Sequence, residues 1–276
     1  MPAPLSALAL SADKICRATS DPLFIQDYFM RTGHNAKQAN GTVTFLKYKN
    51  AIFACTCRHV LNEVKGNLVL AVMADRMVLN FASIGPDGIL SSFRRVQDST
   101  VDIAISPVPA GMWLLLAKKK AKQAIDLDTF NPPPWDLIKF CHAAGYPCEH
   151  KVDSGTVVRS PMPRVVAELR TTVSKGTKEF TLHSSLNEPH GFFFSGMSGG
   201  PIVGETDKGD LVPVGIVFEG APSSKKRQRS IFAGPNDLMI RGYVLTPEVF
   251  DYWLQHLEPF SKARKMRKLR RSRPTA

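Results

Sequence analysis

From Gly41 onward the chain is a succession of short runs rich in β-branched and aromatic residues, each closed by turn residues, and no other feature restricts the fold as strongly. One set comprises Thr42–Tyr48, Ala51–Cys57, Asn67–Met73, Met77–Ile84 and Asp102–Pro107. A second set comprises Leu137–Ala143, Gly155–Ser160, Val165–Val173, Glu179–His183, Gly200–Val203 and Leu211–Phe218. Runs of this length suit an all-β Greek-key barrel and not a helical bundle. Between the sets, Lys118-Lys119-Lys120-Ala121-Lys122 and Asn131-Pro132-Pro133-Pro134 mark a polar, proline-rich crossing. A closing helix is expected over Pro247–Leu257: Thr246 can cap it, Pro247 fits its first turn, and Val249, Phe250, Trp253, Leu254 and Leu257 recur on one face. The weakly periodic Pro22–Met30 fits a helix or a strand packed outside the β core.

The chain's 276 residues can hold two small units, and 43 % apolar composition is ordinary for a packed protein. No stretch approaches the ~20 consecutive apolar residues that span a bilayer, so no membrane partner is expected. The opening Met1–Ala12 lacks the basic start of a secretory signal, which points to a cytoplasmic setting. Five cysteines, an odd number, are expected to stay reduced. Cys141, His142, Cys148 and His150 flank the Gly145-Tyr146-Pro147 turn, but the adjacent 141/142 pair lacks the usual zinc spacing; neither metal nor cofactor is expected. Of the formal net charge of +12, the tail 261–276 carries eight basic and no acidic residues, and Lys225-Lys226-Arg227-Gln228-Arg229 carries four more. The basicity therefore belongs to two segments and not to the body of the chain.

Two polar residues stand where an apolar strand has no use for them, and a third lies in a glycine-rich turn. Phe53-Ala54-Cys55-Thr56-Cys57-Arg58-His59-Val60 ends a strand on His59, and Ser99-Thr100-Val101-Asp102-Ile103-Ala104-Ile105 starts one on Asp102. Ser198 lies in Phe194-Ser195-Gly196-Met197-Ser198-Gly199-Gly200-Pro201. There glycines free the backbone to aim neighbouring N–H groups at a developing oxyanion and leave room for a substrate. A base, an orienting acid and a nucleophile in the order His, Asp, Ser is one of the known solutions of acyl-transfer geometry.

On these motifs, together with Ala144-Gly145-Tyr146-Pro147, Ser154-Gly155-Thr156-Val157-Val158 and Gly215-Ile216-Val217-Phe218-Glu219-Gly220, the chain resembles the chymotrypsin-like serine peptidases. The likeness is greatest to their bacterial trypsin-like and Deg/HtrA-type branch and spans Gly41 to Gly220. The resemblance implies two six-stranded Greek-key β-barrels with a catalytic cleft between them and a C-terminal helix. The units would be an N-terminal extension (1–40), a first barrel carrying His59 and Asp102 (41–125), a linker (126–135), a second barrel carrying Ser198 (136–246), the helix (247–260) and a basic tail (261–276). It also implies a serine endopeptidase in which Ser198 attacks, His59 moves the proton, Asp102 orients His59, and the N–H groups of Gly196 and Ser198 form the oxyanion hole. In secreted members an aspartate precedes the nucleophile and pairs with a newly cut N-terminus; Met197 stands there instead. A thioether cannot make that ion pair, so control is expected from a protein partner or a loop and not from N-terminal clipping.

By the same resemblance Phe218-Glu219-Gly220 is the edge that pairs with substrate backbone. Phe192 and Phe193 either belong to the core or wall a primary pocket that prefers an apolar or small residue before the cut. Lys225, Lys226, Arg227 and Arg229 form either a solvated loop or an exosite that attracts acidic protein. Protein or peptide is the expected substrate. Two other readings stay open: a viral polyprotein-processing protease, and a nucleic-acid-binding protein using Lys262–Arg273, which is less favoured because no aromatics interleave its charges. A disordered solubilising or targeting tail is the expectation for 261–276.

Overall fold

A helix comes first. In α1 (Ala7–Thr19), the Ser6 hydroxyl accepts the Ala9 N–H, and Ala12, Cys16 and Thr19 form the buried stripe. The computed structural model describes residues 6–25, 41–62, 70–74, 77–81, 83–84, 90–91, 93–147, 152–153, 158–174, 176–185, 196–221 and 237–259. The exosite loop, Phe192, Phe193 and the basic tail lie outside these residues.

The first β unit is built from β1 (Ser20–Ile25), β2 (Gly41–Tyr48), β3 (Ala51–Cys57), β4 (Leu70–Ala74), β5 (Met77–Asn80), β6 (Arg94–Arg95), β7 (Ile103–Pro107) and β8 (Ile125–Asp126). Their order is β5-β4-β1-β2-β3-β7-β6, with β8 added to β2 in parallel. Among the described residues this sheet has eight strands and is open, where a six-stranded barrel was expected. The sheet also starts upstream of residue 41. Ser20–Leu23 pair antiparallel with Thr44–Gly41, and Phe24 and Ile25 pair with Ala71 and Leu70, so this part of the supposed extension is a central strand.

The second unit is a closed barrel of β9 (Ile138–Ala144), β10 (Arg164–Leu169), β11 (Glu179–Ser185), β12 (Pro201–Thr206), β13 (Leu211–Ala221) and β14 (Asp237–Val244). Its order is β9-β10-β11-β14-β13-β12, with β12 returning to β9. Alternate residues of β11 and β14 point inward, and Phe180, Leu182, Leu238 and Ile240 fill the interior.

Two helices follow the first unit's strands. The Lys118–Lys122 crossing is largely helical: α2 (Arg58–Asn62) and α3 (Ala110–Lys120) precede the second barrel, and α3 buries Met112 and Leu116. Its basic last turn suits the helix dipole, and Ala121 ends it in the left-handed conformation at φ 51°. Lys122 is buried and not solvated, donating to the Arg17 carbonyl (2.7 Å) and to that of Ser20, while Lys120 pairs with the buried Asp21 (2.5 Å to Oδ2). This ionic cluster ties the start of β1 to the end of α3. At the other end of the chain, α4 (Pro247–Gln255) forms as its cap predicts, with the Thr246 hydroxyl accepting the Val249 N–H at 3.2 Å. Phe250 and Trp253 leave the barrel and enter the core of the first unit, so the last helix clamps the two units together. All-β architecture in two units with a closing helix is what the resemblance implies.

Candidate active site

The register of β3 against β7 places Cys57 opposite Ile103. The residues just beyond that pair, His59 at the start of α2 and Asp102 at the entry to β7, therefore meet at one end of the sheet. The Arg58 N–H donates to the Asp102 carbonyl at 3.1 Å and extends the ladder. Both carboxylate oxygens of Asp102 then engage His59: Oδ1 accepts its backbone N–H at 2.9 Å, and Oδ2 lies 2.5 Å from Nδ1. A carboxylate there assigns the Nδ1–H tautomer, so Nε2 carries the free lone pair of a base. The imidazole is 49 % exposed and Asp102 25 %, which leaves the ring open on the side away from its acid. Val60 and Leu61, buried beneath, anchor the turn.

Asp102 is itself held by a preceding turn. The Asp98 carboxylate accepts the Thr100 N–H (2.9 Å), the Thr100 hydroxyl (2.7 Å) and the Tyr252 hydroxyl (2.7 Å). Those bonds, the Thr100 hydroxyl first, hold the Asp98 carboxyl down at about 2. A depressed folded-state value means the turn's support is complete above the ordinary carboxylate range and fades only as pH falls toward about 2. The Thr100 amide resonance is accordingly expected to keep its position through pH 4; a shift that follows an ordinary carboxylate titration would show the turn to be loose.

The Gly196–Gly200 turn that carries Ser198 is held largely by groups from the other unit. Gly196 and Gly199 take φ values of 97° and 90°, the region only glycine adopts without strain. The Thr42 hydroxyl donates to the Gly196 carbonyl (2.8 Å), Thr44 to the Gly199 carbonyl (2.7 Å), and the Thr42 N–H to the Ser198 carbonyl (3.0 Å). Thr56 supports Thr42 by donating to its carbonyl at 2.8 Å. All three threonines are buried. With the carbonyls of 196, 198 and 199 drawn into β2, the peptide planes around Ser198 are fixed. Met197 is buried against Gly145, whose added Cβ would lie 2.6 Å from the Met197 Cα.

Gly41 brings the turn up to His59. A Cβ there would lie 2.8 Å from both γ-methyls of Val60 and 3.4 Å from the Ser198 carbonyl oxygen. Ser198 is 7 % exposed, and its hydroxyl donates to the Phe218 carbonyl at 3.3 Å. Among the described residues no hydrogen bond joins that hydroxyl to His59.

A buried thiol sits close by. Cys57 Sγ lies within 4.8 Å of the ligand atoms of His59 and Asp102. Its thiol is fully buried and donates to the Val217 carbonyl at 3.3 Å, and burial raises its pKa well above the ordinary thiol value. Burial also pushes Cys16 and Cys141 up to about 12, so these thiols are protonated and shielded, unlike a reactive cysteine. The four described cysteines are free. His142 bonds Glu205 at 2.8 Å through Nε2 and Arg164 through Nδ1, while residues 148–150 lie outside the described ones.

Phe218, Glu219 and Gly220 lie where β13 is paired on one side only. Val217 and Glu219–Ala221 pair with β14, with a register shift at Phe218, whereas pairing with β12 ends at Ile216 opposite Pro201. Among the described residues no strand covers the other edge of 218–221. Glu219 is held by Arg241 (3.2 Å), which also binds Glu179 (2.8 Å) and lies 4.8 Å over the Phe218 ring. Sequence reasoning missed Thr42, Thr44, Thr56, Asp98 and Tyr243.

No family model matches the chain, and no curated protein matches it. Among solved structures it is similar to the Rv3671c protease from M. tuberculosis in its active form: 16 % identity, TM-score 0.45, covering 91 % of this chain and 87 % of that one. A glutamic acid specific serine protease is 11 % identical at TM-score 0.41, covering 84 % of this chain and 95 % of that one. The HtrA-type protease AlgW with a tripeptide is 15 % identical at TM-score 0.40, covering 88 % and 61 %.

Proposed function

We propose that the protein is a serine endopeptidase that works through Ser198, His59 and Asp102 and an acyl-enzyme intermediate. The observation that carries this reading is the double engagement of His59 by Asp102, which leaves Nε2 free to act as a base. In the proposed mechanism the Ser198 hydroxyl leaves the Phe218 carbonyl, gives its proton to Nε2 and attacks the scissile carbonyl. Asp102 keeps the ring in the productive tautomer and stabilises the imidazolium. The developing oxyanion is met by the N–H groups of Gly196 and Ser198; the Ser198 N–H shares its peptide plane with the Met197 carbonyl, which accepts the Gly200 N–H at 2.8 Å. His59 then returns the proton to the leaving amine, and a water repeats the sequence to release the acid.

Substrate backbone would add to the open edge at Phe218–Gly220. With Met197 buried and the turn fastened by threonine hydroxyls, a thioether stands where an ion pair to a cut N-terminus would need a carboxylate, which supports control by a partner or a loop. A randomised peptide library, read by mass spectrometry of new termini, is expected to be cut after apolar or small residues by the intact chain. Cutting chiefly after Lys or Arg would overturn the specificity, and no cutting by wild type would count against the activity.

A further inference from the structure

Tyr243 lies on β14 of the second barrel, yet its side chain is buried at 3 % exposure in the core cluster of the first unit. It packs edge-on to Trp253 at 5.9 Å and stacks on Phe218 with centroids 4.2 Å apart and planes at 27°. Its hydroxyl accepts the backbone N–H of Asp102 at 2.8 Å and donates to the Thr100 carbonyl at 3.2 Å. That N–H precedes β7 and finds its partner in the phenol. The ring under it is the residue whose carbonyl receives the Ser198 hydroxyl.

Accepting the peptidase reading above, we infer that Tyr243 is a positioning residue that sets the acid of the triad relative to its nucleophile. The phenol fixes the backbone of Asp102, and through its two carboxylate bonds Asp102 fixes both the backbone and the ring of His59. The stacked Phe218 carries the carbonyl from which Ser198 is released. One aromatic pair thus joins the Asp102 loop of one unit to the Ser198 turn of the other. Losing the hydroxyl alone leaves the ring packing intact but takes from the Asp102 N–H and the Thr100 carbonyl, both in part-buried settings, the partner that fixes them, a loss that changes a rate by about tenfold. Arg58, with Nε 3.9 Å from Asp102 Oδ1, and the Cys57 thiol remain beside the carboxylate in such a variant.

The test is the second-order rate of labelling by a fluorophosphonate probe, followed against pH, for wild type, Tyr243→Phe and Tyr48→Phe. Tyr48→Phe is the control, since it removes from the same aromatic core a hydroxyl that bonds Asp251 at 3.0 Å, away from the turn that holds Asp102. Tyr243→Phe is expected to label about tenfold more slowly at the plateau. Its acid limb should move to lower pH, because a carboxylate held less firmly supports the imidazolium less. Tyr48→Phe should keep the wild-type plateau. A Tyr243→Phe plateau and midpoint equal to wild type, with only the melting temperature lowered, would overturn the inference and make Tyr243 a packing residue. Should Tyr243→Phe not fold, a fluorinated tyrosine at 243 keeps the ring and weakens the oxygen as an acceptor. It should label more slowly than wild type, and an unchanged rate would again overturn the inference. No labelling of wild type would instead count against the peptidase reading itself.

Discussion

Ser198→Ala is expected to lower the turnover of a cleavable peptide by on the order of 10⁶-fold with little change in KM, and His59→Ala by a similar factor. The two losses should not multiply in the double variant, because base and nucleophile act as one unit in the same step. Ser198 is nearly buried on a fastened turn, and removing one oxygen there leaves the Thr42 and Thr44 bonds in place. The variant should consequently melt close to wild type. A Ser198→Ala protein that still cuts at more than about a hundredth of the wild-type rate would transfer the chemistry to another group.

Gly199→Ala is expected to have the largest effect on stability, roughly 3–5 kcal/mol, from strain and overpacking together. The new Cβ would lie 2.0 Å from the Thr42 carbonyl oxygen and 2.6 Å from the Thr56 hydroxyl, with φ at +90°. Neither neighbour can retreat easily. The Thr42 carbonyl already accepts from Thr56, and Thr42 bonds the turn through both its hydroxyl and its N–H. Gly209→Ala separates the two causes, since its φ of +84° is similar but nothing lies within 4 Å of the added atom. Only conformational strain, about 1 kcal/mol, applies there. Urea unfolding of the two variants measures the difference, and equal losses would mean that the nucleophile turn is less tightly held by the first unit than its contacts imply.

Part of the candidate site was legible because His59 and Asp102 interrupt apolar strands at their ends, where burial has no use for a polar side chain, and Ser198 stands among glycines. His59 and Asp102 could be read as candidates from that alone, and the strand register then explains why they meet. The support beneath them was not legible. Thr42 and Thr44 are ordinary strand formers, so their hydroxyls carry no local sign of the carbonyls they bind across the interface. Tyr243 lies in a strand whose Arg241 and Gly242 obscure the alternation, and the whole of β14 went unrecognised from sequence. The start of the first sheet was missed for a related reason: Pro22–Met30 reads as a helix or a strand outside the β core, and the Asp21 charge just before it is met by Lys120 and Lys122, far along the chain. The same lysines hid α3, since a basic run reads as solvated crossing when its partner is out of sight. In each case a distant partner decided the outcome, and no local pattern records it.

Incubation of the intact chain with a fluorophosphonate probe, followed by peptide mapping of the adduct, tests the central claim most directly. A single adduct on Ser198, absent from His59→Ala and much slower in Asp102→Asn, is the predicted result. A wild-type chain that stays unmodified while fully folded, or that carries the adduct on another residue, would contradict it.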